Sequence, residues 1–186
     1  MVDHFHILAP FYDRLMGPPD AAHLAGLLKL PSSGWLLDGG GGTGRASRPL
    51  QRWVGRLVVC DVCERMLVRA RNRNLHAVRA RAEQLPFPDE AFDRILVVDA
   101  LHHFSDQAAA IVDFARVLTP GGRIVVEEFD ADRRVVRWIA LAEKIARMQS
   151  RFLRPQDIRD KMRHCGLKSY IETGRRFAAW IVGDKL

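Results

Sequence analysis

The stretch that most restricts this chain is Gly34-Trp35-Leu36-Leu37-Asp38-Gly39-Gly40-Gly41-Gly42-Thr43-Gly44-Arg45. A short apolar run reads as a buried strand, an acid closes it, and a glycine-rich turn leads into a segment, Ala46 to Val54, that can start a helix. That order of strand, loop and helix is a nucleotide cradle. Glycine is needed where a ligand approaches the backbone closely and where the turn takes dihedrals that a side chain penalises, and the free amides at the helix start then face the ligand. Two registers fit. Gly39-x-Gly41-x-x-Gly44 satisfies the dinucleotide fingerprint, whereas Asp38-x-Gly40-x-Gly42-x-Gly44 sets alternate glycines behind the acid.

The chain beyond the loop has to decide between them. Before it, Phe5, Leu8, Tyr12, Leu15 and Met16 recur at helical spacing, Gly17-Pro18-Pro19 breaks the run, and Asp20 caps a helix over Ala21 to Leu30. After it, Arg56 to Asp61 is a second apolar strand ending in an acid. Asp61 falls ~20 residues beyond the glycine turn, where a ribose-binding carboxylate belongs, because an ionised carboxylate accepts from both hydroxyls. It also reads as the N-cap of a helix over Val62 to Arg73. His76 to Ala80 is a third short strand, Arg81 to Asp89 a loop fixed by two prolines, and Phe92 to Asp99 a fourth strand apolar enough for the centre of a parallel sheet. A helix over Ala108 to Leu118 stops at Thr119-Pro120-Gly121-Gly122, and Arg123 to Phe129 is the fifth strand. The tail reads as helices over Val135 to Gln149 and Pro155 to His164, then runs from Leu167 to Thr173 and Arg176 to Val182 that meet at Gly174 as a hairpin. Alternating strands and helices imply a doubly wound parallel sheet with ligands at the carboxyl ends of its strands.

Length and charge set outer bounds. A chain of 186 residues with 48% apolar content builds one domain with one core. Its net charge of +7, from 29 basic and 22 acidic residues, is carried almost wholly by arginine and attracts phosphates or anionic lipid. No run approaches the ~20 apolar residues of a membrane helix, and the N-terminus lacks a signal peptide's pattern, so a cytoplasmic protein is expected. Cys60, Cys63 and Cys165 read as core thiols and no metal site is expected. Nucleic acid is not an expected partner, because the basic residues are not interleaved with aromatics.

Several segments in this order and spacing resemble the class I S-adenosylmethionine-dependent methyltransferases of the small-molecule type, near the ubiquinone and menaquinone C-methyltransferase branch. They are Ala-Pro-Phe-Tyr-Asp at 9–13, Leu-Leu-Asp-Gly-Gly-Gly-Gly-Thr-Gly at 36–44, Val-Cys-Asp-Val-Cys-Glu-Arg-Met-Leu at 59–67, Ala-Glu-Gln-Leu-Pro-Phe-Pro-Asp at 82–89, Asp-Ala-Leu-His-His-Phe at 99–104 and Arg-Val-Leu-Thr-Pro-Gly-Gly at 116–122. The resemblance implies a Rossmann-like α/β fold, a doubly wound seven-stranded sheet that is mostly parallel and ends in an antiparallel C-terminal hairpin. It divides the single domain 1–186 into a helical preamble (1–33), a cofactor-binding core (34–130), a short helical cover (131–166) and the hairpin (167–186).

The same resemblance implies S-adenosylmethionine as cofactor, with Asp38, Gly40, Gly42 and Gly44 on its amino acid end, Thr43 bordering the loop, Asp61 on the ribose, Val62 flanking the adenine, and Ala82 and Glu83 at the adenine edge. Family members often carry Asp at the position of Arg81, to accept from the adenine amino group; a guanidinium cannot accept. Asp99 to Leu101 face the methyl group, and Asp99, His102, His103 and Tyr12 are the candidates for catalysis. Each histidine is either a base with a pKa near ~6.5 or a packing residue. The implied activity is methyl transfer to a small, hydrophobic acceptor of quinone-precursor or lipid type. The alternatives are a protein that binds S-adenosylmethionine without transfer and, more remotely, an NAD-dependent oxidoreductase.

Overall fold

Leu36 and Leu37 are fully buried in strand β1, Ser32–Gly39, because that strand has a paired strand on either side and helices over both faces. The computed structural model describes residues 19–129, 151–173 and 178–186. Around β1 stand β2 (Val54–Asp61), β3 (His76–Arg79), β4 (Phe92–Val98), β5 (Leu118–Phe129), β6 (Leu167–Thr173) and β7 (Ala178–Lys185). They form one seven-stranded sheet in the order β3-β2-β1-β4-β5-β7-β6. The pairs among β1 to β5 are parallel, and β7 runs antiparallel to both β5 and β6. This is the expected sheet, terminal hairpin included. Tyr12, the first preamble helix, the helix expected over Val135 to Gln149 and the turn at Gly174 lie outside the described residues.

Chain order moves outward from β1 to β2 to β3, then jumps back across β1 to β4. Right-handed crossovers therefore put the connections of the two halves on opposite faces. On one face α1 (Ala21–Leu27), a 3-10 helix (Arg48–Trp53) and α2 (Glu64–Arg71) bury Leu24, Leu28, Leu50 and Leu67 against Leu36, Val59 and Leu96. On the other, α3 (Gln107–Val117) and α4 (Pro155–His164) bury Ile111, Phe114, Ile158 and Met162 against Leu37, Ile95 and Ile124. The segment read as a helix start after the glycine loop is only that 3-10 turn. Pro49 sits at its beginning and Val54 is already extended.

Helix ends are fixed by identifiable groups. Asp20 accepts from the His23 amide at α1, and Asp106 accepts from the Ala108 and Ala109 amides at α3. The C-terminal carbonyls of α1 are met from the sheet, Leu27 by Arg123 and Leu28 by Arg94. Arg123 is 6% exposed and forks onto both oxygens of Asp184 at 2.6 and 2.7 Å, across the β5–β7 ladder. Truncating Asp184 leaves a buried guanidinium uncompensated. Asp184→Ala should cost about 2–4 kcal/mol in urea unfolding, while Asp89→Ala, whose 76% exposed carboxylate also meets an arginine, should cost under about 1 kcal/mol.

Candidate active site

The reversal of chain order falls between β1 and β4, where the crevice at the carboxyl ends of the strands takes ligands in sheets of this kind. A cavity of about 390 Å³ opens there. Its walls come from the glycine loop, the turn after β2, the loop 80–85 and the turn after β4, each drawn to it by its own local chemistry.

The glycine loop settles the register. Gly40, Gly42 and Gly44 all take left-handed φ values, 71°, 55° and 72°, and Gly39 and Gly41 do not. The alternate glycines behind Asp38 are thus the ones the backbone requires. Gly41 matters for another reason: a Cβ there would lie 2.3 Å from the Asp38 carboxyl carbon, so its absence is what lets that carboxyl sit under the loop.

Asp38 is 1% exposed, and neither carboxylate oxygen has a hydrogen-bond partner among the described residues. Burial raises its pKa to about 7; the neighbouring Ser47 hydroxyl, short of a formed hydrogen bond, and Arg45 ease that rise, and the Asp61 charge adds to it. An orphaned acid facing a cavity wants a cationic hydrogen-bond donor.

Asp61 stands opposite. Its Oδ2 accepts from the Gly42 amide at 2.9 Å and its Oδ1 from the Cys63 amide at 2.8 Å. Asp61 takes the expected wall position but is not the N-cap, because the helix starts only at Glu64 with Cys63 as its cap residue; the brace from Asp61 to the glycine loop was not visible in the sequence. Val62, 56% exposed, and the buried Cys63 and Met66 continue the wall. Ala82 and Glu83 complete it. Their loop is tied to α3, where Asp113 accepts from the Leu85 amide at 2.6 Å and Arg116 donates to the Leu85 and Phe87 carbonyls. Glu83 Oε1 accepts from the Ser105 and Asp106 amides at 2.9 and 3.2 Å and from Arg81 at 3.3 Å. It braces one loop against another.

Thr43 and Gly44 lie behind the loop rather than on the cavity wall. Arg73 holds the Thr43 carbonyl and hydroxyl, and a Cβ at Gly44 would meet Leu75 at 2.2 Å.

After β4, Asp99 and Ala100 reach the cavity and the buried Leu101 does not. The two histidines divide. His102 is 4% exposed and off the wall, with its Nδ1 2.7 Å from Glu128 Oε2 and its ring stacked on Phe152 at 4.4 Å. His103 lies on the wall with its ring 3.9 Å from that of His102. Burial, with His102 adding to it, pushes His103 down to about 3. It is a neutral ring at physiological pH rather than a base titrating near neutrality.

The family whose description is "Methyltransferase domain" matches residues 37–126, from the middle of β1 to β5. That stretch, just under half of the chain, is what is similar to a methyltransferase domain. A demethylmenaquinone methyltransferase of Tropheryma whipplei is 43% identical to the chain over 106 residues, 54% of this chain and 44% of that protein. A ubiquinone/menaquinone biosynthesis C-methyltransferase of Vibrio parahaemolyticus is 40% identical over 105 residues, 50% of this chain and 40% of that protein. The match spans less than half the length of either relative. A solved structure from Thermotoga maritima, described as an S-adenosylmethionine-dependent methyltransferase and possible histamine N-methyltransferase, superimposes with a TM-score of 0.79 at 25% identity, over 98% of this chain and 99% of that one.

The cofactor that this similarity implies is S-adenosylmethionine, and the residues present fit it. The unpaired Asp38 carboxyl answers an α-ammonium, the Asp61 carboxylate suits ribose hydroxyls, and Val62 and Ala82 give apolar surface for an adenine.

Holding Asp38 protonated has a thermodynamic signature. An unfolded aspartate titrates near ~3.9, so between there and about 7 the folded state keeps a proton that the unfolded state has lost. Stability should therefore fall as pH rises through that window and level off above it. Asp38→Asn should remove the slope, making the variant at pH 8 more stable than the parent by roughly 2–4 kcal/mol, read from urea midpoints at pH 5 and pH 8.

Proposed function

We propose that the protein transfers the methyl group of S-adenosylmethionine to a small, hydrophobic acceptor of quinone-precursor or lipid type, through a single domain. The observation that carries the reading is the buried, unpaired carboxyl of Asp38 beneath a loop whose left-handed glycines are 40, 42 and 44. The quinone part rests on the two quinone-pathway relatives. The cytoplasmic placement and contact with anionic lipid belong to this proposal too. Support for the latter is the arginine excess, which the fold concentrates along α2 and the β3 edge as Arg65, Arg69, Arg71 and Arg79.

When bound, the cofactor supplies an activated methyl on a sulfonium that is already a good leaving group. What remains for the chain is positioning and exclusion of water. Asp38 holds the amino acid end, Asp61 the ribose, and Val62 with Ala82 the adenine. The adenine amino group, which Arg81 cannot receive, falls to a backbone carbonyl of this loop or to Glu83 Oε2, since Glu83 Oε1 is committed to the Ser105 and Asp106 amides. Asp99, Ala100 and His103 form the wall on the acceptor side. His103, kept neutral by burial and by His102, accepts a hydrogen bond from an acceptor hydroxyl and orients it.

Titration calorimetry with S-adenosylmethionine, S-adenosylhomocysteine and NAD tests the cofactor, with the first two expected to bind and NAD not. Methyl incorporation into a demethylated quinone tests the acceptor, and tight binding without incorporation would favour a cofactor-binding protein that does not transfer. Asp61→Ala should weaken S-adenosylmethionine by about 1–3 kcal/mol. Asp61→Asn, which keeps an acceptor for the Gly42 amide, should lose less; unchanged affinity in both variants would remove Asp61 from the ribose. Affinity should also rise with pH up to about 7, as Asp38 ionises to meet the ammonium, and Asp38→Asn should abolish that rise.

A further inference from the structure

Among the described residues two cations line the cavity, Arg45 and Arg81, beside the carboxylates of Asp38, Asp61, Glu83 and Asp99. Arg81 belongs to the Ala82 side, with its side chain 60% exposed and bonded to Glu83. Arg45 belongs to the other end. It directly follows the last glycine of the loop, its side chain is 11% exposed, and its Nη2 donates to Asp99 Oδ2 at 3.0 Å. Its charge is felt at Asp38 on one side and Glu127 on the other.

Asp99 is set for that contact in an uncommon way. Its φ of 51° is left-handed, a conformation unfavourable for a side-chain-bearing residue, and its amide is tied to the Glu127 carbonyl at 3.2 Å. The turn after β4 is thus bent to aim a carboxylate at Arg45, and Arg45 is held at the cavity wall beside Asp38. A guanidinium is a planar fork of five donors and serves more than one carboxylate at a time.

An amino acid end brings two opposite charges on one carbon. The Asp38 carboxyl suits its ammonium. The carboxylate beside it would enter a wall carrying Asp38, Asp61 and Asp99, where without a cation it is repelled. Arg45 is the cation placed at that end, and arginine matches a carboxylate in geometry as well as charge.

We propose that Arg45 binds the α-carboxylate of the cofactor's amino acid end, across from Asp38 on its α-ammonium, and that Asp99 is the positioning residue that aims the guanidinium. This rests on the S-adenosylmethionine reading and adds a selectivity to it. The site takes adenosyl thioethers that end in a whole amino acid and rejects the decarboxylated forms, which carry only an amine.

The test is calorimetric titration of the full chain with S-adenosylhomocysteine and with its decarboxylated counterpart. The parent protein should prefer the former by about 10- to 100-fold, the range of a charge-assisted pair. Arg45→Gln should bring that preference to within about threefold by weakening S-adenosylhomocysteine alone, leaving the decarboxylated ligand where it was. Arg45→Lys, which keeps the charge without the fork and serves if the glutamine variant does not fold, should keep an intermediate preference, and Asp99→Asn should behave similarly. Equal weakening of both ligands by the Arg45 variants would mark the arginine as structural and overturn the proposal, as would a parent protein that does not discriminate. A parent that binds neither ligand would instead overturn the cofactor reading, so the two failures are told apart.

Discussion

Burying the carboxyl of Asp38 with no hydrogen-bond partner among the described residues is the constraint on which the cavity depends. The group can be there only because Gly41 has no side chain, the loop above it can turn only because Gly40 and Gly42 go left-handed, and the loop stays put because Asp61 reaches across to the Gly42 amide. The buried acid weakens the free protein, and the Asp61 brace offsets part of that cost. Together they describe a site whose electrostatics are completed by something that arrives from outside, which is the ordinary way a binding site stores selectivity in a fold.

The periphery of the cavity is arranged differently. Where the centre leaves a polar group unmet, the surrounding loops are satisfied to excess. Glu83 meets two amides and a guanidinium, and Arg116 meets two carbonyls and two carboxylates. Rigid walls around an unsatisfied centre hold the geometry fixed before a ligand binds, so that little ordering has to be done at the moment of binding.

Much of this could be read before the structure was seen. The doubly wound, mostly parallel sheet and the terminal hairpin followed from alternating apolar runs, and Asp38 and Asp61 stood out because each closes such a run. Helix α4 was legible to the residue, Pro155 and Cys165-Gly166 being strong punctuation. What stayed hidden depends on contacts between distant segments. Nothing local in His102-His103 says that one ring turns inward to a carboxylate on β5 while its neighbour faces the cavity. The contact of Arg45 with Asp99 joins positions 54 apart, and neither residue alone announces the other. The short 3-10 turn after the glycine loop was missed because apolar and polar residues there alternate as a helix start does, while Pro49 sits at its beginning and Val54 is already extended.

The pairing of Glu128 with His102 has one more implication. Glu128 faces Ala179 of β7 in the antiparallel ladder, and its carboxylate sets the ring against which His103 rests. The C-terminal hairpin is therefore mechanically in series with the His103 wall, although none of its described residues lines the cavity. In the proposed reading, divergence in the last twenty or so residues would retune what the acceptor side admits while the adenosyl end, at β1 and β2, is left as it was. Cofactor and acceptor recognition would then be separable in opposite halves of one sheet.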